Sequence, residues 1–326
     1  MPSNLVYHMG LESALRTRAG SAPPVRKVAP QRFVATSLLL TMYGDALAPR
    51  GPAPVPLAAM IAVAQSLGLS ARHVRTSVQR LSQADWLQAQ RVGRCSFYTC
   101  ASIGQRRITL GEQRIFPAPV ASPPELGRWS FLVMGPHLRA STRGNLSREL
   151  AWCGFGEIAP GVFAQHGAAP AVDLLLLLDA HHARDQVWTL LNVPQDQEPQ
   201  RPDARVLCPQ GHCAQRLLQG WRDFAQQHHG IPALVPTLGP AQAFAARTQL
   251  VHGYRRQLQN HPELPFANCA EMQDARQHAQ RVFAKGYLAL LEVSERFLDR
   301  YLPPPSPQGQ QLLHQRVGAL RTMLAH

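Results

Sequence analysis

Gly68-Leu69-Ser70-Ala71-Arg72-His73-Val74-Arg75-Thr76-Ser77-Val78-Gln79-Arg80-Leu81 is the stretch whose reading decides the fold. Ahead of it a short apolar helix carries Leu57, Met60, Ile61 and Ala64, and Gly68 breaks it. Ser70 then caps a second helix, its hydroxyl accepting from an orphan amide two or three residues on. Val74, Val78 and Leu81 recur at spacings of four and three and define the buried face of that helix. Arg72, Arg75, Thr76, Gln79 and Arg80 are left for its other faces. Downstream, Trp86 to Val92 reads as a strand, Gly93-Arg94 as a turn and Cys95 to Thr99 as the returning strand. Two helices around a glycine turn, followed by a hairpin with Arg91 and Arg94 at its tip, are the parts of a winged helix-turn-helix. A helical hairpin plus β-hairpin used only for packing or protein contacts has the same pattern.

Charge separates these two readings. Residues 26–116 carry 12 Lys+Arg against 3 Asp+Glu, so +9 of the net +13 falls on this segment. Lys27 and Lys285 are the only lysines in the chain. Arginine, with its planar fork of donors, suits phosphate and guanine better than lysine does. Net charge alone would fit a membrane surface equally well, but its concentration around one motif favours nucleic acid.

With 326 residues, 45% hydrophobic and 16% charged, the chain is long enough for two or three domains with real cores and is not of disordered composition. Its longest apolar run, around Leu174 to Leu178, is far short of the roughly 20 residues that span a bilayer. The first 25 residues lack the basic start and apolar core of a secretion signal. Cys95, Cys100, Cys153, Cys208, Cys213 and Cys269 are scattered without a disulfide framework. A cytoplasmic location is expected.

Proline-rich stretches divide the remainder. The sequence predicts an N-terminal extension over 1–29, the winged helix-turn-helix over 30–116 and a stiff linker over 117–127. A central domain follows over 128–205, then a helical C-terminal domain over 206–305 and a tail over 306–326 that can form one more amphipathic helix. In the central domain Trp129 to Met134 reads as a strand, Leu146 to Cys153 as a helix and Gly154 to Phe163 as two short strands around a turn. Val172 to Leu178 reads as a fully buried strand, and Asn192 to Asp203 as a polar connection. The fold class is α+β. Helices are expected over Ala214 to Gln227, Ala241 to Gln259 and about Met272 to Leu302.

Several blocks resemble the PaaX family of bacterial repressors of phenylacetic acid catabolism. They are Leu38-Leu39-Leu40-Thr41-Met42-Tyr43-Gly44-Asp45, Pro49-Arg50-Gly51, and Val74 to Leu81 with Trp86-Leu87. Gly154-Phe155-Gly156 with Pro160-Gly161-Val162, and Leu250-Val251-His252 with Tyr254-Arg255 ahead of Pro262-Glu263-Leu264-Pro265, continue the resemblance over roughly residues 30–302. It implies a GntR-like winged helix, a central ferredoxin-like domain and a helical C-terminal domain. It further implies a homodimer on palindromic operator DNA, released by an aryl-acetyl coenzyme A thioester such as phenylacetyl-CoA. Cys269 to Gln280 departs from the family's pattern, and the ends of the chain have no counterpart role in it.

On this reading the helix from Ala71 to Ala84 enters the major groove with its first turn nearest the bases. Arg72, Arg75 and Thr76 contact base edges, and Gln79 reaches an adenine edge. Arg80, Arg91 and Arg94 hold phosphates and fix register. For Arg80 an ion pair with Asp45 or Asp85 is the structural alternative. An effector pocket would combine arginines with aromatics, and Trp221, Phe224, His252, Tyr254, Arg255 and Arg256 lie in the right region. Trp221 and Phe224 also sit at the spacing of core residues.

An enzyme is not expected. The chain has no P-loop, dinucleotide fingerprint or nucleophile elbow. Where the ferredoxin-like CRISPR-associated endoribonuclease places an aspartate after its first strand, this chain reads Met134-Gly135-Pro136-His137. Cys208 and Cys213, with His181-His182 and His228-His229, lack the paired knuckle spacing of a zinc site, so no metal or cofactor is assigned. An effector-independent DNA-binding protein, or an enzyme that docks through the winged helix, are the competing functional classes. Release by ligand separates the first from a repressor, and turnover separates the second.

Overall fold

The computed structural model describes residues 35–117, 128–167, 169–194, 212–263 and 270–325. The expected N-terminal extension, most of the proline-rich linker and most of the polar connection after Asn192 lie outside them. The chain forms two compact units. One comprises residues 35–104, His228–His252 and Lys285–His314, the other residues 105–227, Gly253–Ala284 and 315–325.

The first unit begins with α1 (Ala35–Met42), which continues as a π-helical turn (Tyr43–Leu47) and a 3-10 turn (Ala48–Arg50). Next come β1 (Val55–Pro56), α2 (Leu57–Gln65) and α3 (Ala71–Gln83). Gly68, at φ 74°, ends the segment after α2, where its amide donates to the Gln65 carbonyl at 3.0 Å and that of Leu69 to Ala64 at 3.2 Å. Only glycine adopts this left-handed backbone without strain. The hairpin of β2 (Leu87–Val92) and β3 (Cys95–Cys100) follows, with β1 on the far side of β3, so the sheet order is β1-β3-β2. Both helices and the hairpin stand where the sequence put them, while β1 carried no alternation long enough to be read.

Leu39, Met42, Met60, Val63, Val74 and Val78 are fully buried and hold α1, α2 and α3 together. Thr36 of α1 donates to Ser77 of α3 at 3.2 Å. Residues of the C-terminal half complete this unit through a buried ionic cluster. The Arg247 guanidinium meets Asp45 at 2.9 Å and Glu295 at 2.5 Å, and it also donates to the Tyr287 hydroxyl at 3.0 Å. Tyr287 in turn donates to Asp45 at 2.8 Å. Arg50 bridges Glu295 at 2.5 Å and Asp299 at 2.8 Å. Burial alone would lower the Arg247 pKa, but Asp45, Tyr287 and Glu295 hold it well above the ordinary value.

The second unit takes most of α4 (Ser102–Ile115), then β4 (Arg128–Met134), α5 (Ala140–Trp152), β5 (Gly156–Ala159), β6 (Val162–His166), α6 (Ala171–Ala180) and β7 (Val187–Pro194). Four antiparallel strands lie in the order β5-β6-β4-β7. Leu132, Leu146, Leu150, Phe163, Leu174 and Leu178 form the core beneath one face of that sheet. The other face leaves Trp188 (82% exposed), Leu190 (57%) and Val133 (44%) open to solvent.

Two expectations are corrected here. Val172 to Leu178 is not a strand but the body of α6. Its five consecutive leucines favour a helix over the β-branched composition of a buried strand. Asp173 sits in the first turn, and Leu174, Leu177 and Leu178 are buried at helical spacing while Val172 faces water. The strand comes later, as β7, and takes in Asn192, where the sequence predicts the start of a polar connection.

The long helices are α7 (His212–His228), α8 (Pro240–Asn260), α9 (Ala270–Leu298) and α10 (Pro307–Ala325). Each except α7 contributes substantially to both units. In the second unit Arg114 donates to the carbonyls of Ala151, Trp152, Leu258 and His261, and with Arg276 it flanks Glu263. Burial alone would raise the Glu263 pKa, but Arg276 and Arg114 more than offset it and bring it to about 2. Desolvation lowers that of His261 to about 4, aided by Arg276.

Candidate nucleic-acid interface

The capping expected from sequence is present, since the His73 amide donates to the Ser70 hydroxyl at 3.2 Å. With α3 started there, Val74, Ser77, Val78 and Leu81 turn inward, each 3% exposed or less. Arg72, Arg75, Thr76, Gln79 and Arg80 are all exposed. At 100° per residue, Arg72, Arg75, Thr76 and Gln79 fall within a stripe about 100° wide, opposite the buried face. Arg80 lies at its edge, on the side of His73. His73 is also exposed in the first turn of α3, at a position not singled out from the sequence.

The hairpin is in full antiparallel register from Leu87↔Cys100 to Val92↔Cys95. Leu87 anchors its base, being 3% exposed, and every residue from Gln88 to Cys95 is exposed. Gly93 turns the chain at φ 60°, which leaves Gly93-Arg94 as a two-residue loop. Arg91 donates from Nε to the Gly93 carbonyl at 3.3 Å, and Arg94 is exposed beside it. Val92, unremarked in the sequence, is 57% exposed between them.

Among the described residues none of the guanidiniums of Arg72, Arg75, Arg80, Arg91 or Arg94 meets a carboxylate. The alternative for Arg80 is therefore not realised: Asp45 is held by Arg247 and Tyr287. Five unneutralised cations on one helix and one hairpin leave a surface able to exchange bound counterions for phosphates.

The six residues considered for an effector are distributed differently. Trp221, Phe224 and Tyr254 share one buried aromatic cluster in the second unit. There Tyr254 stacks on Phe283 at 4.1 Å, and the Trp221 indole donates to His261 Nδ1 at 3.1 Å. Arg255 is also buried, its guanidinium 5.0 Å from the Trp152 ring centre, and desolvation lowers its pKa to about 10. Arg256 is exposed. His252 belongs to the first unit, where its Nδ1 lies 2.9 Å from the Thr41 hydroxyl.

The cysteines considered for zinc, Cys208 and Cys213, have no described side chains. His181 instead pairs with Glu149 at 2.9 Å, and Arg107 joins the same carboxylate. Among the described residues no group of three or more His, Cys, Asp or Glu is placed to hold a metal ion. None of the described helices is long and apolar enough to cross a membrane.

The PaaX-like protein model matches residues 34–103, and the PaaX-like protein C-terminal domain model matches residues 214–300. The transcriptional repressor PaaX of Escherichia coli (strain K12) is 31% identical over 238 residues, covering 71% of this chain and 72% of that one. This chain belongs to the PaaX family. Among solved structures, the uncharacterized protein Rv0674 from Mycobacterium tuberculosis is similar over 82% of this chain and 98% of its own. Its sequence identity is 19% and its TM-score 0.42.

Proposed function

We propose that this protein is a ligand-responsive transcriptional repressor and not an enzyme. Its segment 35–100 acts as a GntR-like winged helix-turn-helix: α3 reads the major groove through Arg72, Arg75, Thr76 and Gln79, while Arg80, Arg91 and Arg94 hold phosphates. The observation that carries this reading is the set of exposed guanidiniums on α3 and the hairpin that meet no carboxylate among the described residues. Its kinship with a transcriptional repressor adds support.

The β-α-β-β-α-β order of the central segment, with sheet order β5-β6-β4-β7, supports a ferredoxin-like domain. The protein acts as a homodimer on two half-sites about one helical turn, or a multiple of it, apart. An aryl-acetyl coenzyme A thioester, phenylacetyl-CoA or a relative, releases it by binding the DNA-free arrangement more tightly. If Trp221, Phe224 and Tyr254 contact that effector, their cluster must open to admit it, whereas Arg256 is already accessible to its phosphates. A cytoplasmic location accords with this role.

Fluorescence anisotropy tests the reading, on the DNA upstream of the protein's own coding sequence at two salt concentrations. Tight, salt-sensitive binding abolished by phenylacetyl-CoA and untouched by free phenylacetate is expected. Binding that ignores acyl thioesters would leave an effector-independent DNA-binding protein. Weak binding, equal on random DNA, would defeat the proposal.

A further inference from the structure

Within the first unit α1 is held from two sides. Toward α3, Thr36 donates to Ser77 at 3.2 Å, and the buried Leu39, Met42, Val74 and Val78 join the two helices. Toward α8 the contacts are polar and fall on two residues one helical turn apart, Thr41 and Asp45. The Thr41 hydroxyl lies 2.9 Å from His252 Nδ1. Arg247 meets the Asp45 carboxylate at 2.9 Å and donates to the Asp45 backbone carbonyl at 3.3 Å. Tyr287 of α9 donates to the other carboxylate oxygen at 2.8 Å. All five of these residues are at most 4% exposed. No water is at hand to screen the charges or replace a lost partner, so α8 either keeps this register on α1 or gives up the set together.

Two features distinguish this joint from plain core. Asp45 sits in the π-helical turn Tyr43–Leu47, a rare turn type that concentrates at functional sites and reverts to α-helical bonding with a small change of register. Thr248, next to Arg247 on α8, is fully buried, and its hydroxyl has no hydrogen-bond partner among the described residues. The observed register therefore carries a cost that another register can relieve. Tyr254, Arg255 and Arg256, three of the residues considered for the effector, follow His252 within the next four residues of α8.

We propose that the Thr41–His252 and Asp45–Arg247 contacts, closed by Tyr287, form the regulatory latch of the repressor. Closed, the latch holds α1 and with it α3 in the DNA-reading position; a ligand that draws α8 out of this register opens it and lowers DNA affinity. The inference rests on the repressor reading and gives His252 a transmitting contact with α1 in place of direct contact with the ligand.

The test compares the full chain with two gentle variants that keep the Asp45–Arg247 pair. Tyr287→Phe deletes one bond to Asp45, and Thr248→Val deletes the unpaired hydroxyl at nearly constant volume. Each protein is titrated with the DNA upstream of its own coding sequence and, separately and without DNA, with phenylacetyl-CoA. Because coupling between two sites is reciprocal, the two affinities must move in opposite directions. Tyr287→Phe should weaken DNA binding about fivefold and tighten thioester binding, and Thr248→Val should do the reverse, both with unchanged circular dichroism. Contacts that only support the fold would shift the unfolding midpoints and leave both affinities in place. That result, or a shift of both affinities in one direction, overturns the inference and spares the repressor reading. A parent protein that does not prefer this DNA over random DNA, or that binds it and ignores phenylacetyl-CoA and other acyl thioesters, brings down the reading itself, and this inference with it.

Discussion

Arginine does two different jobs in this molecule. In the helical core of the first unit Arg247 is completely buried, with Asp45, Glu295 and Tyr287 around its guanidinium. On α3 and the hairpin Arg72, Arg75, Arg80, Arg91 and Arg94 face water, with no acidic partner among the described residues. A buried cation must be neutralised where it stands, because the interior does not screen it. An exposed cation is screened by salt and contributes little to stability, so leaving it unpaired keeps it available for an external anion. Substitutions in the two sets should therefore fail in different assays.

Replacing Arg247 carries the largest effect. Arg247→Met would remove the cation that the buried Asp45 carboxylate meets at 2.9 Å and should destabilise the protein by about 3–5 kcal/mol. Denaturant unfolding followed by circular dichroism measures this. DNA binding should decline alongside, because Asp45 sits in the turn that follows α1, and α1 carries the Thr36 contact to Ser77 of α3. A stable Arg247→Met protein would show that the ionic cluster does not support the fold.

The second unit extends the contrast to pH. His261 is lowered to about 4 and Glu263 to about 2, so the folded state resists protonating both. The unfolded chain takes up the histidine proton near pH 6.5 and the carboxyl proton near 4.5. Acidification thus favours unfolding first between pH 6.5 and 4, through His261, and then between about 4.5 and 2, through Glu263. Melting curves across pH 7 to 3 should show a loss of a few kcal/mol, and His261→Gln should flatten the upper part of that slope. A stability profile level from pH 7 to 4 would contradict the burial of a neutral His261.

The exposed set is the part most legible in sequence. Ser70, Gly68 and the Val74, Val78, Leu81 spacing are local signals, and a helix that can be phased from its own residues shows which side chains remain outside. Arg247 offered no such signal, because its partner Asp45 is 202 residues away and pairing at that range follows from the tertiary fold. The Leu174 to Leu178 run failed for another reason: a continuous apolar stretch has no period, and its length fits either element. Trp221 and Phe224 were recognisable as aromatic residues at core spacing, yet their junction with Tyr254 and Phe283 joins three helices and could not be read along the chain. Val92 was hidden by type, since a valine in a strand gives no hint that the strand tip lies in water.

Within the exposed set, Arg75→Ala should cost about 1–3 kcal/mol of specific binding and relax preference at one base position. Its unfolding free energy should stay within about 0.5 kcal/mol of the parent, as for other surface sites. Competition between selected duplexes and single-base variants measures the first, denaturant unfolding the second. Equal loss on all sequences would move Arg75 from base reading to phosphate contact.

Arg80→Ala should give the smallest change and sharpens the comparison most. It lies at the edge of the exposed stripe on α3, with neither Asp45 nor Asp85 to neutralise it, so its contribution is electrostatic and sequence-independent. Removing it should weaken selected and random duplexes by the same factor and reduce the slope of log affinity against log salt by about 1. Stability should be unaffected, because Arg80 forms no ion pair among the described residues. If Arg80→Ala instead lowers the melting temperature and leaves the salt slope alone, Arg80 belongs with the structural arginines despite its exposure. The division between neutralised and free guanidiniums would then have to be drawn by neighbouring backbone and dipoles as well as by carboxylates.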